Sequence, residues 1–206
     1  MTTMHTNYEE VVSPNLYYDN NFNIDAVKIM PGEYYVTTRD IALVTVLGSC
    51  VAACIRDRLS GMGGMNHFML PDIRHDTDDI LSPSMRYGAY AMEIMINQLF
   101  KMGAKRGNLE AKVFGAGKVL ESFSVNNVGE RNASFVLDYL RTENIAVTAQ
   151  DLLDIHPRKV YFFPRTARVL VKKLRSIHND TIIERDKAYS SRLKVADVQG
   201  DVELFE

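Results

Sequence analysis

Residues 42–70, ALVTVLGSCVAACIRDRLSGMGGMNHFML, decide how this chain folds. Two apolar runs rich in Val, Ala and Ile meet at the Gly48-Ser49 corner. A third follows a loop that holds Asp57, Ser60, Gly61, Gly63 and Gly64. Short β-branched runs bounded by glycine-bearing turns read as strands, and such a loop reads as the link between two antiparallel neighbours. With the turn centred near Arg58 and Leu59, positions whose numbers sum to 117 or 118 face one another. That register sets Cys50 against His67 or its neighbour.

On the N-terminal side, AVKIM (26–30) and EYYVT (33–37) extend the strand-rich half. On the C-terminal side the period changes. Ser82-Pro83 offers an N-cap followed by a proline suited to the first helical position. Ala89, Met92, Ile96 and Leu99, with Met95, keep helical spacing up to Gly103. A short strand at 111–114 leads into FGAGK, and a second helix is expected over 129–143. Asn127 and Glu130 suggest its capping box, and Val128, Phe135, Val136, Tyr139 and Leu140 its apolar stripe. IAVTA, KVYFF and RVLVK read as strands, the last two joined by a turn at 164–167. Residues 1–25 show neither period and read as an extended arm. Residues 179–206, with seven acids against four bases and weak periodicity, read as a peripheral acidic tail. The expected domain is therefore 26–178, and strands mixed with helices without strict alternation point to an α+β fold.

The 206 residues are 46% hydrophobic and 24% charged, which suits one sizeable core and argues against disorder. The net charge of −2 speaks against a nucleic-acid binder. The longest uncharged apolar stretch, 41–55, is too short and too polar to span a bilayer. The N-terminus has Glu9 and Glu10 where a secretory leader would be basic and then apolar, so no export is expected. Two cysteines four apart on one strand stand about 13 Å from each other, too far for a disulfide. Both are expected as free thiols in a reducing, cytoplasmic compartment.

Three features carry possible chemistry. The LGSC corner lets glycine turn the backbone sharply, so the amides of Ser49 and Cys50 can converge on a developing oxyanion beside the thiol. Free cysteines among Val and Ala are, as a class, more often core residues than nucleophiles. What separates Cys50 from that class is His67, the one histidine of five with a geometric link to a cysteine and a base able to take its proton. A Cys-His pair needs a third group to orient the ring. Thr45 is one candidate, and Asp57 and Asn66 are alternatives on reach. FGAGK lacks the spacing of a phosphate loop, and no His pair follows Cys50 and Cys54 at zinc-ligand spacing, so neither nucleotide nor metal is expected. Finally, 155–179 holds seven bases and no acid, a stretch suited to an acidic protein surface rather than RNA or, more plainly, a solvated face.

LGSCVAACIRD, GGMNHFMLP, RYGAYAMEIMIN, AKVFGAGKV, VGERNASFVLDYL and PRKVYFFPRTARVLVKKL, in that order, strongly resemble the CheD family, chemoreceptor glutamine deamidases of bacterial chemotaxis. The resemblance implies a cysteine hydrolase, free of cofactors, that converts glutamine side chains of methyl-accepting chemoreceptors to glutamate. It places the family's cysteine, histidine and threonine on Cys50, His67 and Thr45. It also implies a β-sandwich-like core with flanking helices, similar to the deamidase domain of cytotoxic necrotising factor toxins, and a CheC-type phosphatase as a possible partner. Arg165, Arg168 and Lys172 are the candidates for holding an acidic receptor helix. Two departures stand out: Leu153-Asp154 where many members have a glycine pair, and Ala167 where the PRT turn often has glycine.

Overall fold

The Gly48-Ser49 corner carries the chain from one β-sheet into another, and the rest of the fold is arranged around that crossing. The computed structural model describes residues 15–71, 82–119, 128–174 and 180–195. Ten strands are described: β1 (Leu16–Asp19), β2 (Ile24–Lys28), β3 (Tyr34–Thr37), β4 (Ala42–Leu47), β5 (Val51–Asp57), β6 (Gly63–Asn66), β7 (Leu109–Gly115), β8 (Ala146–Leu152), β9 (Arg158–Phe163) and β10 (Arg168–Lys173). The helices are α1 (Pro83–Lys101), α2 (Val128–Thr142) and α3 (Asp180–Val195). One sheet runs β1-β2-β4-β9-β10 and the other β3-β6-β5-β7-β8. Each is mixed, with one parallel pair, β2 with β4 and β7 with β8.

Alternation along the strands gives each sheet two faces. Leu43, Val160 and Phe162 from the first sheet and Cys50, Ala52, Cys54, Met65 and Phe114 from the second fill one shared apolar layer. The opposite face of the second sheet, Val51, Ala53, Ile55 and Val113, packs on Met92, Met95, Ile96 and Leu99 of α1 and on Val136 and Leu140 of α2. The mixed α+β expectation holds, with two sheets and helices over one of them.

Helix α1 starts as its sequence requires. The Ser82 hydroxyl accepts from the Met85 N–H at 3.3 Å, and Gly103, at φ 102°, follows the last turn. Gly88 takes the inward place expected of Ala89, because a Cβ there would stand 2.6 Å from both Leu70 and Phe135. Asn127, the proposed cap of α2, lies outside the described residues, as do His5, His75 and His178.

Four expectations need correction. Strand pairing begins before residue 26, since β1 pairs antiparallel with β2 and Leu16 faces Val27. The β5/β6 register sums to 119, with Cys54 facing Met65 and Val51 facing Phe68, because the turn centres on Leu59 and Ser60. The segment from Asp180 is not a peripheral appendage: it forms α3, whose Tyr189 and Leu193 are 5% and 8% exposed within the inter-sheet layer. The basic stretch is not one solvated face either. Arg158 is fully buried, paired with Asp151 at 2.8 Å and bonded to the carbonyls of Asp151 and Leu153.

Candidate active site

The corner between β4 and β5 is held from below by the FGAGK turn. Ala116 N–H donates to the Cys50 carbonyl at 2.6 Å, and Gly117 N–H to the Gly48 carbonyl at 2.8 Å. Gly115, at φ 109°, lies so close that a Cβ would stand 2.3 Å from the Cys50 carbonyl oxygen. The FGAGK glycines thus serve close approach to the corner, and phosphate binding is not needed to account for them. From the helical side, Asn132 of α2 donates Nδ2–H to the Ser49 carbonyl and accepts the Leu70 N–H on Oδ1, both at 2.8 Å. The corner is therefore fixed on two sides before any chemistry is considered.

Cys50 and His67 are both fully buried. On the observed register Ala52 lies opposite His67, and Cys50 is one pair further along the same face. Measured from a sum of 117, the departure is two residues and keeps His67 on the face that carries Cys50, whereas a departure of one would have put it on the other side of the sheet. No hydrogen bond joins His67 Nε2 to the Cys50 thiol, which lies against Asp186. Diagonal neighbours of this kind stand roughly 7–8 Å apart at Cα, within reach of side chains.

Thr45 reaches His67 from the other sheet. Its Oγ1 lies 2.8 Å from the Ile29 carbonyl and 2.8 Å from His67 Nδ1. The hydroxyl has one proton, and the carbonyl can only accept it. Thr45 Oγ1 must then accept from Nδ1–H, which leaves Nε2 as the bare lone-pair nitrogen. Nε2 is buried and has no hydrogen-bond partner. The two alternative orienters are occupied elsewhere. Asn66 Oδ1 accepts the Ala53 N–H at 2.8 Å and its Nδ2 donates to the Ala91 carbonyl. Asp57 gathers the N–H groups of Leu59, Ser60 and Lys105 at the far end of β5. Beside His67 lies a cavity of about 190 Å³ lined by Gly32, Tyr34, Asn66, Tyr87 and Tyr90.

Sequence reading missed Asp186. This carboxylate of α3 is fully buried over the corner. Its Oδ2 accepts the Ser49 N–H at 2.8 Å and the Ser49 hydroxyl at 2.9 Å, and its Oδ1 lies 3.8 Å from Cys50 Sγ. Arg185 donates to the Val46 carbonyl at 2.7 Å and pairs with Asp186 at 3.3 Å. The Tyr189 and Tyr87 hydroxyls meet at 2.7 Å. Burying a leucine fully is worth about 1.5–3 kcal/mol, so Leu193 together with Tyr189 anchors the helix firmly. The missed signal was spacing: Ile182, Asp186, Tyr189 and Leu193 recur at helical intervals, with an acid in the middle of an otherwise apolar stripe.

The electrostatics follow from this burial. Desolvation, and then the Asp186 carboxylate, push the Cys50 thiol well above its ordinary range, against a smaller opposing pull from Arg185. Burial, and then the Arg185 cation, push the His67 imidazole down to about 3. With α3 in place, the pair is a neutral thiol and a neutral imidazole. Arg165, Arg168 and Lys172 are exposed on β10 and the turn before it, and Arg168 lies 5.9 Å over the Phe163 ring.

Among the described residues no helix is long and apolar enough to cross a membrane. The family model for CheD chemotactic sensory transduction matches residues 69–173. A protein of Thiobacillus denitrificans named "Probable chemoreceptor glutamine deamidase CheD" is 64% identical over 98% of this chain and all of its own length. Proteins of the same name from Methylobacillus flagellatus and Laribacter hongkongensis are 62% and 49% identical. These alignments cover 96% and 100% of this chain, and 98% and 100% of those proteins. On its matched region and its full-length relatives alike, the chain belongs to the CheD family.

Proposed function

We propose that this protein deamidates glutamine side chains of chemoreceptors, with Cys50 as the thiol nucleophile. The names of its relatives support the substrate class. The single observation that carries the chemistry is the Thr45–His67 pair. A hydroxyl already committed to the Ile29 carbonyl fixes the ring with its proton on Nδ1, leaving a bare Nε2 on the face that carries Cys50.

In this reading His67 Nε2 takes the Cys50 proton, and the thiolate attacks the carboxamide carbon. Charge collects on the carboxamide oxygen, which the Cys50 N–H and the Ser49 N–H, the latter once it is released from Asp186, receive at the corner. The imidazolium returns its proton to the leaving nitrogen, ammonia departs, and a thioester remains. The cavity beside His67 has room for the water that completes the reaction. His67 takes a proton from that water, its oxygen attacks the thioester, and Cys50 leaves with glutamate as the product. One amide and one water become one carboxylate and one ammonium. Replacing a neutral amide by a charge alters the electrostatics of the receptor surface, which is the means by which the edit tunes signalling.

Arg165, Arg168 and Lys172 are proposed as the contact for an acidic receptor segment. A CheC-type phosphatase is a further proposed partner, and the reaction on receptor cytoplasmic domains puts the protein in the cytoplasm. The test is ammonia release from a receptor cytoplasmic fragment. Ammonia is expected with the native chain and none with Cys50→Ala. Methanol from a methylated fragment in place of ammonia would make the protein an ester hydrolase and sink this reading.

A further inference from the structure

One of the two N–H donors proposed for the developing oxyanion, that of Ser49, is already engaged. Asp186 Oδ2 receives both the N–H and the hydroxyl of Ser49, while Oδ1 faces the Cys50 thiol. A carboxylate has the planar shape of the carboxamide that the proposed reaction consumes, and it is the group that reaction produces. The surface has the relief to take it. A Cβ on Gly48 would stand 2.4 Å from Asp186 Oδ2, and one on Gly32, at φ 86°, would stand 3.3 Å from the Tyr189 hydroxyl. Each glycine lies against a side chain of α3. One turn beyond Asp186, Tyr189 enters the inter-sheet layer, and one turn further Leu193 follows it. A helix that merely covered this core would gain nothing from placing a carboxylate over a thiol, because an ion out of water is costly unless its site is built to receive it.

We propose that α3 is a tethered plug seated in the substrate's place. Asp186 holds the N–H and hydroxyl of Ser49, the helix shuts off Cys50, and a receptor segment is edited only as α3 leaves. The inference rests on Cys50 as the nucleophile and deepens that reading. It also describes the occupant that replaces α3: a helical segment with glutamine at the Asp186 position, and with an aromatic and an aliphatic residue three and seven positions further on. Apparent substrate affinity is then the intrinsic affinity reduced by the fraction of chains that are open. A partner or condition that draws α3 away raises activity without touching the catalytic residues.

The test uses the full chain and reads the alkylation of each cysteine by iodoacetamide through peptide mass mapping. Cys54, buried in the same layer, serves as the internal control. In the native chain Cys50 is expected to react slowly. In Tyr189→Ala/Leu193→Ala it should react at least about tenfold faster while Cys54 stays protected, since only exposed thiolates are attacked at useful rates. Receptor deamidation should rise in parallel. If the double variant loosens the core, Cys54 reacts as well, and Asp186→Ala then decides. That variant removes the carboxylate and leaves the apolar anchors in place, and it too should speed Cys50 selectively. Equal Cys50 rates in the native chain and in the deciding variant overturn the plug, even where deamidation proceeds normally. Selective Cys50 exposure with no deamidation by any chain supports the plug and strikes the deamidase reading instead.

Discussion

Thr45 brings one proton and one acceptor site to a buried junction, and both are used. Thr45→Val keeps the shape and removes the hydroxyl that meets both the Ile29 carbonyl and the His67 ring. Each lost partner in a buried place costs about 1–3 kcal/mol, so the variant should be destabilised by that order. Deamidation should fall by about tenfold or more as the ring loses its fixed tautomer. Thr45→Ser should recover most of both, and activity unchanged in Thr45→Val would remove Thr45 from the site. His67 gives a pH signature. Its folded value of about 3 lies below an ordinary value of 6.5. Between those limits the unfolded chain binds a proton that the folded chain refuses. This contribution is therefore complete above about pH 6.5 and is lost as pH falls towards 3. From pH 7.5 to 5 the loss should be about 2 kcal/mol, read by urea unfolding. His67→Gln should lack that component, and parallel losses in the two chains would contradict it. Cys50 and His67 were legible because glycine corners and short loops leave marks in a sequence. Asp186 was not, because an acid inside a weakly apolar stripe reads as solvated until a partner across 136 residues is known.

At the scale of elements, the two departures from the family pattern fall on special backbone. Leu153, Asp154 and Ala167 have φ of 64°, 74° and 59°, the left-handed region where glycine is at ease. An ordinary residue pays about 1–2 kcal/mol there, and glycine returns part of the gain through the freedom of the unfolded chain. Ala167→Gly should therefore raise stability by about 0.5–1 kcal/mol, seen as a higher urea midpoint at unchanged slope, and a lower midpoint would refute the argument. Arg158 shows the opposite dependence. Its guanidinium is the buried partner of the Asp151 carboxylate and of the Asp151 and Leu153 carbonyls. Arg158→Met fills a similar volume but leaves those acceptors unsatisfied, so it should lose about 3 kcal/mol or more by the same measurement. Apart from β1, which had read as part of the arm, the strands and the first two helices followed from period and turn residues. What period could not supply was pairing: nothing local says that β4 lies between β2 and β9, or that β5 joins β7, because those contacts span long stretches of chain. The same limit hid the fate of Arg158, which reads as one more surface base beside Lys159.

For the whole molecule, the two sheets share one apolar layer, and the chain crosses between them at the Gly48-Ser49 corner. Thr45 therefore comes from one sheet while Cys50 and His67 come from the other, with α3 laid across the junction. Such a site depends on the sheets keeping their relative position, and the proposed base and nucleophile, held this way, need little reorganisation. Arg165, Arg168 and Lys172 lie on or beside the edge strand β10, outside this machinery. Reversing all three charges should weaken receptor binding several-fold at low salt, with the gap closing at high salt as the charges are screened. Equal binding at low salt would dismiss that face as a contact. The central claim, cysteine-dependent glutamine deamidation, is tested most directly by the intact mass of a receptor cytoplasmic fragment after incubation with the native chain and with Cys50→Ala. The account predicts a gain of about one dalton per edited glutamine, rising to about three in ¹⁸O-labelled water because water oxygen resolves the thioester, and no gain with Cys50→Ala. An equal gain with Cys50→Ala, or none with either the native chain or Tyr189→Ala/Leu193→Ala, would contradict it.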